Sequence, residues 1–176
     1  MEHQTAKASK SIMTYGIIFG VVSVLLGVIM YVTNSYLDPH WSLAILGFFI
    51  FIVIIPMGIK AFKKENGGFL SVGEAIKVGV GIALIAGIIS CAWSLLLSNV
   101  LVPDYYEQMA DMQRTKMAEY APNMTEAQLD DAMEMNANFS SPWITIAITL
   151  VTHMFLGLLV ALVAGLVMKE KRPYDV

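Results

Sequence analysis

A single histidine stands in the middle of a long apolar run near the C-terminal end of the sequence. His153 lies eleven residues beyond Pro142, where the run begins, or about 16 Å along a helix. An equal count back from Val102, the end of another apolar run, reaches Cys91, which lies between Ser90 and Ser94. In antiparallel helices these residues would lie at the same depth as His153. Ionisable residues inside membrane segments commonly bind protons, ions or ligands. We therefore expect a polar pocket within the membrane, formed by these candidate residues: His153, Ser90, Ser94 and Thr149.

This pocket has two interpretations, which the sequence leaves open. A lone neutral histidine, hydrogen-bonded to a hydroxyl, stabilises a helix bundle without any further function. The alternative is a small transporter or channel built around His153. Transporters usually show several polar groups at the midplane, broken helices and an inverted repeat, and no convincing repeat relates the first two apolar runs to the last two.

Other chemically capable side chains have structural explanations. Glu74 and Lys77 lie three residues apart, but Ser71 and Glu74 form the pattern of a helix capping box, and a lysine at a membrane edge extends to the headgroups. Six of the twelve methionines fall within residues 103–141, and thioether sulfurs are soft ligands for copper(I). No cysteine or histidine accompanies them there, and methionine is also common at adaptable partner surfaces.

The remaining composition disfavours several functional classes. The sequence has no nucleophile–base pair, no paired catalytic carboxylates in an apolar run and no phosphate loop, so we expect a non-enzymatic protein without a cofactor or metal. The net charge of −3 provides no basic surface for nucleic acid. The single cysteine, Cys91, cannot form an intrachain disulfide.

The elements that position these residues are apolar helices. Hydrophobic residues make up 57% of the 176 and charged residues only 14%, with a mean hydropathy of +0.66, whereas soluble domains carry about a quarter charged residues. Four charge-free stretches each hold the roughly 20 apolar residues that cross a bilayer as a helix. The sequence therefore predicts one all-α domain over residues 1–176, a polytopic membrane protein. We expect its four transmembrane helices at about residues 13–32, 41–59, 76–102 and 142–168.

Basic residues predict the orientation, because lysine and arginine accumulate on the cytoplasmic side of a membrane. Nine of them fall on the side of both termini, and only Arg114 and Lys116 fall on the other side. We therefore expect cytoplasmic termini and an extracytoplasmic loop at residues 103–141. The nine are Lys7, Lys10, Lys60, Lys63, Lys64, Lys77, Lys169, Lys171 and Arg172.

The loop at residues 103–141 is predicted to be helical. Asp104–Tyr120 has no glycine or proline, Pro122 then interrupts the chain, and Thr125–Gln128 has the pattern of a capping box that opens a second helix to about Asn138. A connection of this length is usually functional or disordered, and its aromatic residues and methionines disfavour disorder. We expect a helical cap with a mainly acidic exposed face, which either binds a protein partner or lids the bundle.

Small residues recur at every fourth position in the third and fourth predicted transmembrane helices. Such rows let helix backbones approach closely. We expect them to pack helices within the chain, and the alternative is a face for a second copy in a homo-oligomer. The packing residues are Gly79, Ala83 and Gly87 in one helix, and Gly157, Ala161 and Gly165 in the other.

Several motifs resemble a family of small four-helix membrane proteins, domain of unknown function 4199, which is common in Bacteroidota. The stretch Gly67–Gly79, which reads GGFLSVGEAIKVG, resembles the entry to the third helix in that family. Val102-Pro-Asp-Tyr-Tyr-Glu, a Met-rich polar loop, Ser141-Pro142 and a last helix ending Met168-Lys-Glu-Lys-Arg follow in the same order. The resemblance covers nearly the whole chain and implies the inner membrane of a Gram-negative cell. It implies no activity and no catalytic residues.

Together these observations predict an integral inner-membrane protein that serves as an accessory or interaction subunit of the cell envelope. Its expected partners are the lipid bilayer and a protein bound at the 103–141 loop. The alternative function is the small transporter or channel around His153.

Overall fold

Six α-helices form the part of the chain that the structure, a computed structural model, describes: residues 2–137 and 141–171. The described side chains begin at Ala8. Arg172, the side chain of Lys7 and the predicted end of the second loop helix at Asn138 lie outside the described residues. The helices are α1 (Glu2–Val32), α2 (Trp41–Glu65), α3 (Val72–Leu96), α4 (Tyr105–Tyr120), α5 (Glu126–Ala137) and α6 (Pro142–Met168).

Four segments are long and apolar enough to cross a membrane. They are Ala8–Val32 in α1, the whole of α2, Val72–Leu101, which includes α3, and the whole of α6. The connection between the third and fourth of these segments consists of α4 and α5. The predicted fold class, all-α with four membrane-length helices and a helical loop, is therefore confirmed, and the chain is a multi-pass membrane protein.

Three helices extend beyond the apolar stretches that predict them. α3 begins at Val72, before its predicted start at about residue 76, because the capping box of Ser71 and Glu74 opens it. α1 begins at Glu2 and α2 continues to Glu65, because lysine and glutamate are good helix formers and long charged side chains reach the headgroups. α2 ends where Gly67 and Gly68 take φ values of +76° and +88°, left-handed conformations that glycine adopts without strain. The connection from α2 to α3 is consequently only residues 66–71.

α3 has a well-defined start and an irregular end. Its predicted capping box is confirmed: the Ser71 hydroxyl accepts a hydrogen bond from the Glu74 N–H at 3.2 Å, and the Glu74 carboxylate accepts one from the Ser71 N–H at 2.8 Å. At the other end the helix widens into a π-helical turn, Leu97–Leu101, in which the Val102 N–H donates to the Leu97 carbonyl at 2.8 Å. This turn lengthens the apolar span without a break.

The bundle is arranged around α3. This helix packs on α1 and α6, while α2 contacts α1, α6 and, less extensively, α3. α4 and α5 pack on each other, and α4 also touches the π-helical turn. The most deeply buried large side chains form the core of the four apolar helices and of the α2–α3 connection: Phe19, Ile55, Ile59, Phe62, Leu70, Val78 and Ile82.

The C-terminal tail closes the end of the bundle that lies away from α4 and α5. Glu170 and Leu70 exchange two backbone hydrogen bonds of 2.9 and 3.0 Å. The Lys63 ammonium donates to the Met168 carbonyl at 2.8 Å and lies 3.9 Å from the Glu170 carboxylate. We call this the basic end, since its described residues include Lys10, Lys60, Lys63, Lys64, Lys77, Lys169 and Lys171.

Candidate functional site

α3 and α6 pack through a seam of small residues that brings their backbones together. The facing pairs, from the basic end inwards, are Gly165–Ala75, Ala161–Gly79 and Gly157–Ala83. A Cβ added to Gly165 would stand 2.8 Å from the Ala75 Cβ, closer than real Cβ atoms approach. The seam therefore packs two helices within one chain, and its next member on α3, Gly87, faces His153.

His153 of α6 is half-buried and lies close to residues of the other three membrane helices. A Cβ built at Gly87 of α3 would lie 3.3 Å from both Cβ and Cγ of the histidine. The imidazole centroid is 5.3 Å from the ring of Phe51 in α2 and 6.3 Å from the ring of Phe19 in α1. Nδ1 is hydrogen-bonded to the Thr149 carbonyl at 2.9 Å. The ring is thus held by packing and by one bond to its own helix.

The predicted pocket hydroxyls are only partly brought to this imidazole. Thr149 lies one turn away, and its hydroxyl donates to the Thr145 carbonyl at 2.8 Å. The Ser90 hydroxyl is buried and has no hydrogen-bond partner among the described residues. Ser94 lies seven residues beyond Gly87, about 10 Å along the helix axis, so it is too far along α3 to join the pocket.

The observed pocket differs from the expected one because α6 is shifted along α3 by one helical turn relative to the predicted pairing. Counting equally from the ends of the two apolar runs pairs His153 with Cys91, whereas the seam pairs it with Gly87. The seam decides the register, because small residues allow close approach only where they face each other. The Cys91 thiol instead lies 3.9 Å from the Ile146 carbonyl.

α4 and α5 form a packed helical hairpin, which we call the hairpin. The predicted capping box at the start of α5 is confirmed, since the Thr125 N–H donates to the Gln128 side chain at 3.0 Å and the Gln128 N–H donates to the Thr125 hydroxyl at 3.3 Å. Leu129 of α5 is buried. Polar side-chain pairs that join the two helices include Arg114–Asp130 at 2.6 Å and Asn136–Gln113 at 2.5 Å.

The hairpin is tethered to the turn between α1 and α2. Lys116 Nζ lies 2.5 Å from the Asp38 carboxylate, and the Tyr36 hydroxyl donates to the Gln108 side chain at 2.9 Å. The rings of Tyr36 and Tyr105 also lie together, with centroids 6.1 Å apart. The hydrogen bond that Lys116 donates to the Asp38 carboxylate raises the pKa of Lys116, and burial raises the pKa of Tyr105. Both shifts reflect contacts between the hairpin and its surroundings.

A groove of about 520 Å³ runs between α4 and α5. Its lining is mainly apolar and rich in methionine, and includes Met112, Met117, Tyr120, Met124, Ala132 and Asn136. Tyr120 is 83% exposed, so the groove opens to the surface. Methionine side chains are flexible and polarisable and adapt to differently shaped partners. A groove of this size and composition can hold an apolar side-chain cluster of another molecule.

The hairpin around this groove is acidic. Residues 104–137 contain eight acidic residues and two basic ones, and both basic residues, Arg114 and Lys116, are paired with carboxylates. The groove is therefore an apolar surface in a negative field. The acidic residues are Asp104, Glu107, Asp111, Glu119, Glu126, Asp130, Asp131 and Glu134.

Neither the tether nor the groove is predicted from the sequence. A signal for the tether exists in Asp38, the single charged residue between Lys10 and Lys60, because a carboxylate beside two apolar helices needs water or a cation. The sequence contains no comparable signal for the groove. The shape of the groove depends on how α4 and α5 face each other, which residue periodicity does not determine.

No curated protein and no solved structure matches the chain. Residues 14–170 match a family described as protein of unknown function, DUF4199. The matched range begins within the first membrane segment and ends at the tail residue Glu170, and so includes the other three membrane segments, the hairpin and the seam. The chain therefore belongs to the DUF4199 family of proteins of unknown function.

Proposed function

We propose that this protein is a non-enzymatic accessory subunit of the cell envelope, whose membrane bundle holds a docking groove at the membrane surface. The groove between α4 and α5 receives a basic, amphipathic segment of a partner protein. One observation supports this most directly: the groove is anchored to the bundle by one of its own lining residues, Lys116, through Asp38.

A docking site benefits from a shape that exists before the partner arrives, because ordering a loop on binding reduces affinity. The Lys116–Asp38 pair and the Tyr36–Gln108 bond hold the hairpin on the bundle. A hairpin that served only as a lid would bury its apolar side chains against the bundle. In α4, Tyr105 is half-buried beside Tyr36 and no residue is fully buried, while the side chains of Tyr120 and, in α5, Met135 are exposed. Such side chains are available to a partner.

Charge indicates the chemistry of that partner. The hairpin's acidic excess repels anionic headgroups and attracts lysine and arginine. An apolar, methionine-lined groove receives the apolar face of an amphipathic helix in several known recognition modes. A helix with apolar residues on one face and basic residues beside them satisfies both requirements. A basic partner also associates faster at low salt, which gives the interaction a measurable signature.

The proposed location is the inner membrane, with both termini in the cytoplasm and the hairpin outside. The concentration of lysines at the basic end supports this orientation, because cytoplasmic segments carry the excess of basic residues. In this orientation the groove faces the extracytoplasmic space, where segments of other envelope proteins are accessible to it.

The proposed function is tested by replacing Tyr120 with a photo-reactive phenylalanine analogue in cells and mapping the cross-linked peptide by mass spectrometry. Tyr120 lines the groove and is exposed, so the reactive group meets whatever occupies it. The expected product joins Tyr120 to one defined segment that is basic and amphipathic. The same analogue at Ala118, which is exposed but outside the groove lining, should give a much lower yield of that product. An acidic segment, only lipid, or no product at Tyr120 would overturn the proposed function.

A small transporter or channel centred on His153 is the second candidate. It is favoured by the Ser90 hydroxyl, which is buried about one turn from the level of the imidazole and has no hydrogen-bond partner in the part of the chain that the structure describes. Buried polar groups are normally hydrogen-bonded, so an unpaired hydroxyl suits a site that accepts water or an ion. Purified protein in liposomes tests this candidate. Proton or cation flux above that of empty liposomes, abolished by His153→Leu, would support it, and flux equal to that of empty liposomes would remove it.

A further inference from the structure

A second groove lies between α2 and α6, on the side of the bundle that faces the membrane. It has a volume of about 510 Å³, and all its lining residues are apolar. On α2 the lining follows one face in four-residue steps, Phe48, Ile52 and Pro56, and Val163 and Val167 contribute from α6. Because residues four apart share a helix face, the groove runs along the membrane span rather than across it.

The groove ends at ammonium groups. One further step along the α2 face leads from Pro56 to Lys60, which is exposed and forms no ion pair with a described carboxylate. Lys63 reaches the same end, because its ammonium donates to the carbonyl of Met168, which lines the groove. Exposed Lys169 follows directly. The Glu170 carboxylate lies 3.9 Å from the Lys63 ammonium, and the three lysines leave a net positive charge at the end of the apolar groove.

We propose that this groove binds an anionic phospholipid, with an acyl chain between α2 and α6 and the phosphate of the headgroup at Lys60 and Lys63. The apolar lining matches the chain, and the lysines match the charge of the headgroup at the depth where the membrane surface lies. This site is independent of the hairpin groove and of its proposed partner.

The positive charge also argues against the other natural occupant, a second copy of the chain. A second copy inserted in the same orientation would bring its own basic end to the same level of the membrane. Its lysines would then oppose Lys60 and Lys63 across the contact, and like charges repel. An anionic lipid neutralises the cluster, whereas a second copy doubles it.

Native mass spectrometry of the detergent-solubilised, delipidated full chain tests the proposal. Phosphatidylglycerol and phosphatidylcholine with identical acyl chains are titrated separately, and inorganic phosphate is added as a competitor. Phosphatidylglycerol should bind more tightly than phosphatidylcholine. Lys60→Gln should weaken the phosphatidylglycerol affinity about fivefold, as expected for one lysine near a headgroup. Lys77→Gln, which removes the same charge from α3 at the same end but outside the groove, should leave the affinity unchanged.

A bulky side chain placed in the groove tests whether the acyl chain binds there or whether the lipid is held only by its headgroup at the lysines. Val163→Trp should weaken binding of both lipids, and Val151→Trp should not, since both valines are exposed, at 62% and 66%, and only Val163 lines the groove. Four results would overturn the proposal: equal affinity for the two lipids, no effect of Lys60→Gln, no effect of Val163→Trp, or full competition by inorganic phosphate. A dimer that Val163→Trp dissociates would assign the groove to a second copy instead.

Discussion

Lys116 of α4 and Asp38 of the turn between α1 and α2 form an ion pair across 78 residues of sequence, with 2.5 Å between Nζ and the carboxylate oxygen. Asp38 belongs to the membrane bundle, and Lys116 lines the groove of the hairpin. The pair therefore connects the hairpin directly to the turn between α1 and α2.

Removing the tether should loosen the hairpin without unfolding the bundle. In Lys116→Met, amide hydrogen exchange in α4 should accelerate roughly two- to fivefold, as expected for loss of an exposed ion pair, while exchange in α3 stays unchanged. A double reversal, Lys116→Asp with Asp38→Lys, should restore protection. If the double variant exchanges as fast as Lys116→Met, the two side chains do not act as a pair.

The tether should be intact at neutral pH. Its hydrogen bond to Asp38 raises the pKa of Lys116 above the ordinary value of 10.5, so the folded state favours the charged ammonium. The contribution of Lys116 to the stabilisation is then complete below that ordinary value and is lost as the pH rises through the higher folded pKa. Exchange in α4 should accordingly show no tether-dependent change between pH 6 and pH 8, roughly the range over which exchange is measured.

The small-residue seam should tolerate no large side chain. Gly79→Leu places a side chain against Ala161 across the α3–α6 contact and should destabilise the protein by about 1–3 kcal/mol, the usual cost of overpacking. Gly73→Leu is the matched control, because nothing lies within 4 Å of an added Cβ there. Thermal unfolding in detergent measures both variants. Equal midpoints for Gly79→Leu and the wild type would show that the helices do not pack by this seam.

The membrane segments and the caps follow from sequence for physical reasons that act locally. A charge-free run longer than a bilayer is thick has one stable conformation in lipid, and Ser71 with Glu74 closes the first turn of α3 from within four residues. The sequence does not determine where a helix ends when lysines alternate with apolar residues, as in α2 after Ile59. A lysine can continue the helix or follow it, and in both cases its ammonium reaches the headgroups.

Side chains that depend on two distant segments could not be placed in the same way. The level of His153 against α3 depends on which residues of the seam face each other, and counting from the helix ends misplaces it by one turn. The tether joins α4 to the turn between α1 and α2, and the proximity of these two segments is a property of the packed bundle. Spacing within either helix of the hairpin likewise contains no information about the depth of the groove between them.

Replacing Ser90 tests whether the residues around His153 only stabilise the bundle or form a transport site. If the centre is structural, Ser90→Ala removes a buried polar atom that has no described partner, and the protein should become equally stable or up to about 1–3 kcal/mol more stable. Thermal unfolding in detergent measures this change, with Ser94→Ala as the control. A loss of stability specific to Ser90→Ala would mean that the hydroxyl holds a water or an ion, which favours the transport function.

The proposed orientation makes a prediction about two introduced cysteines. Met117→Cys, in the hairpin, should be labelled by a membrane-impermeant thiol reagent in whole cells with a permeabilised outer membrane, whereas Lys64→Cys, at the basic end, should be labelled only after lysis. The native Cys91 is buried and should contribute little background. The opposite labelling pattern would place the hairpin in the cytoplasm and contradict the orientation.

The most direct test of the docking groove is a comparison of cross-linking yields when the groove is filled. Ala132→Trp occupies a lining position, and Ala118→Trp places the same bulk on the exposed surface of α4 outside the lining. With the photo-reactive analogue at Tyr120, the yield of the basic partner segment should fall at least about tenfold in Ala132→Trp, a loss typical of a central contact. It should remain at the wild-type level in Ala118→Trp, with equal thermal stability in both variants. An undiminished yield from a stable Ala132→Trp protein would contradict the central claim that the groove between α4 and α5 is where the partner binds.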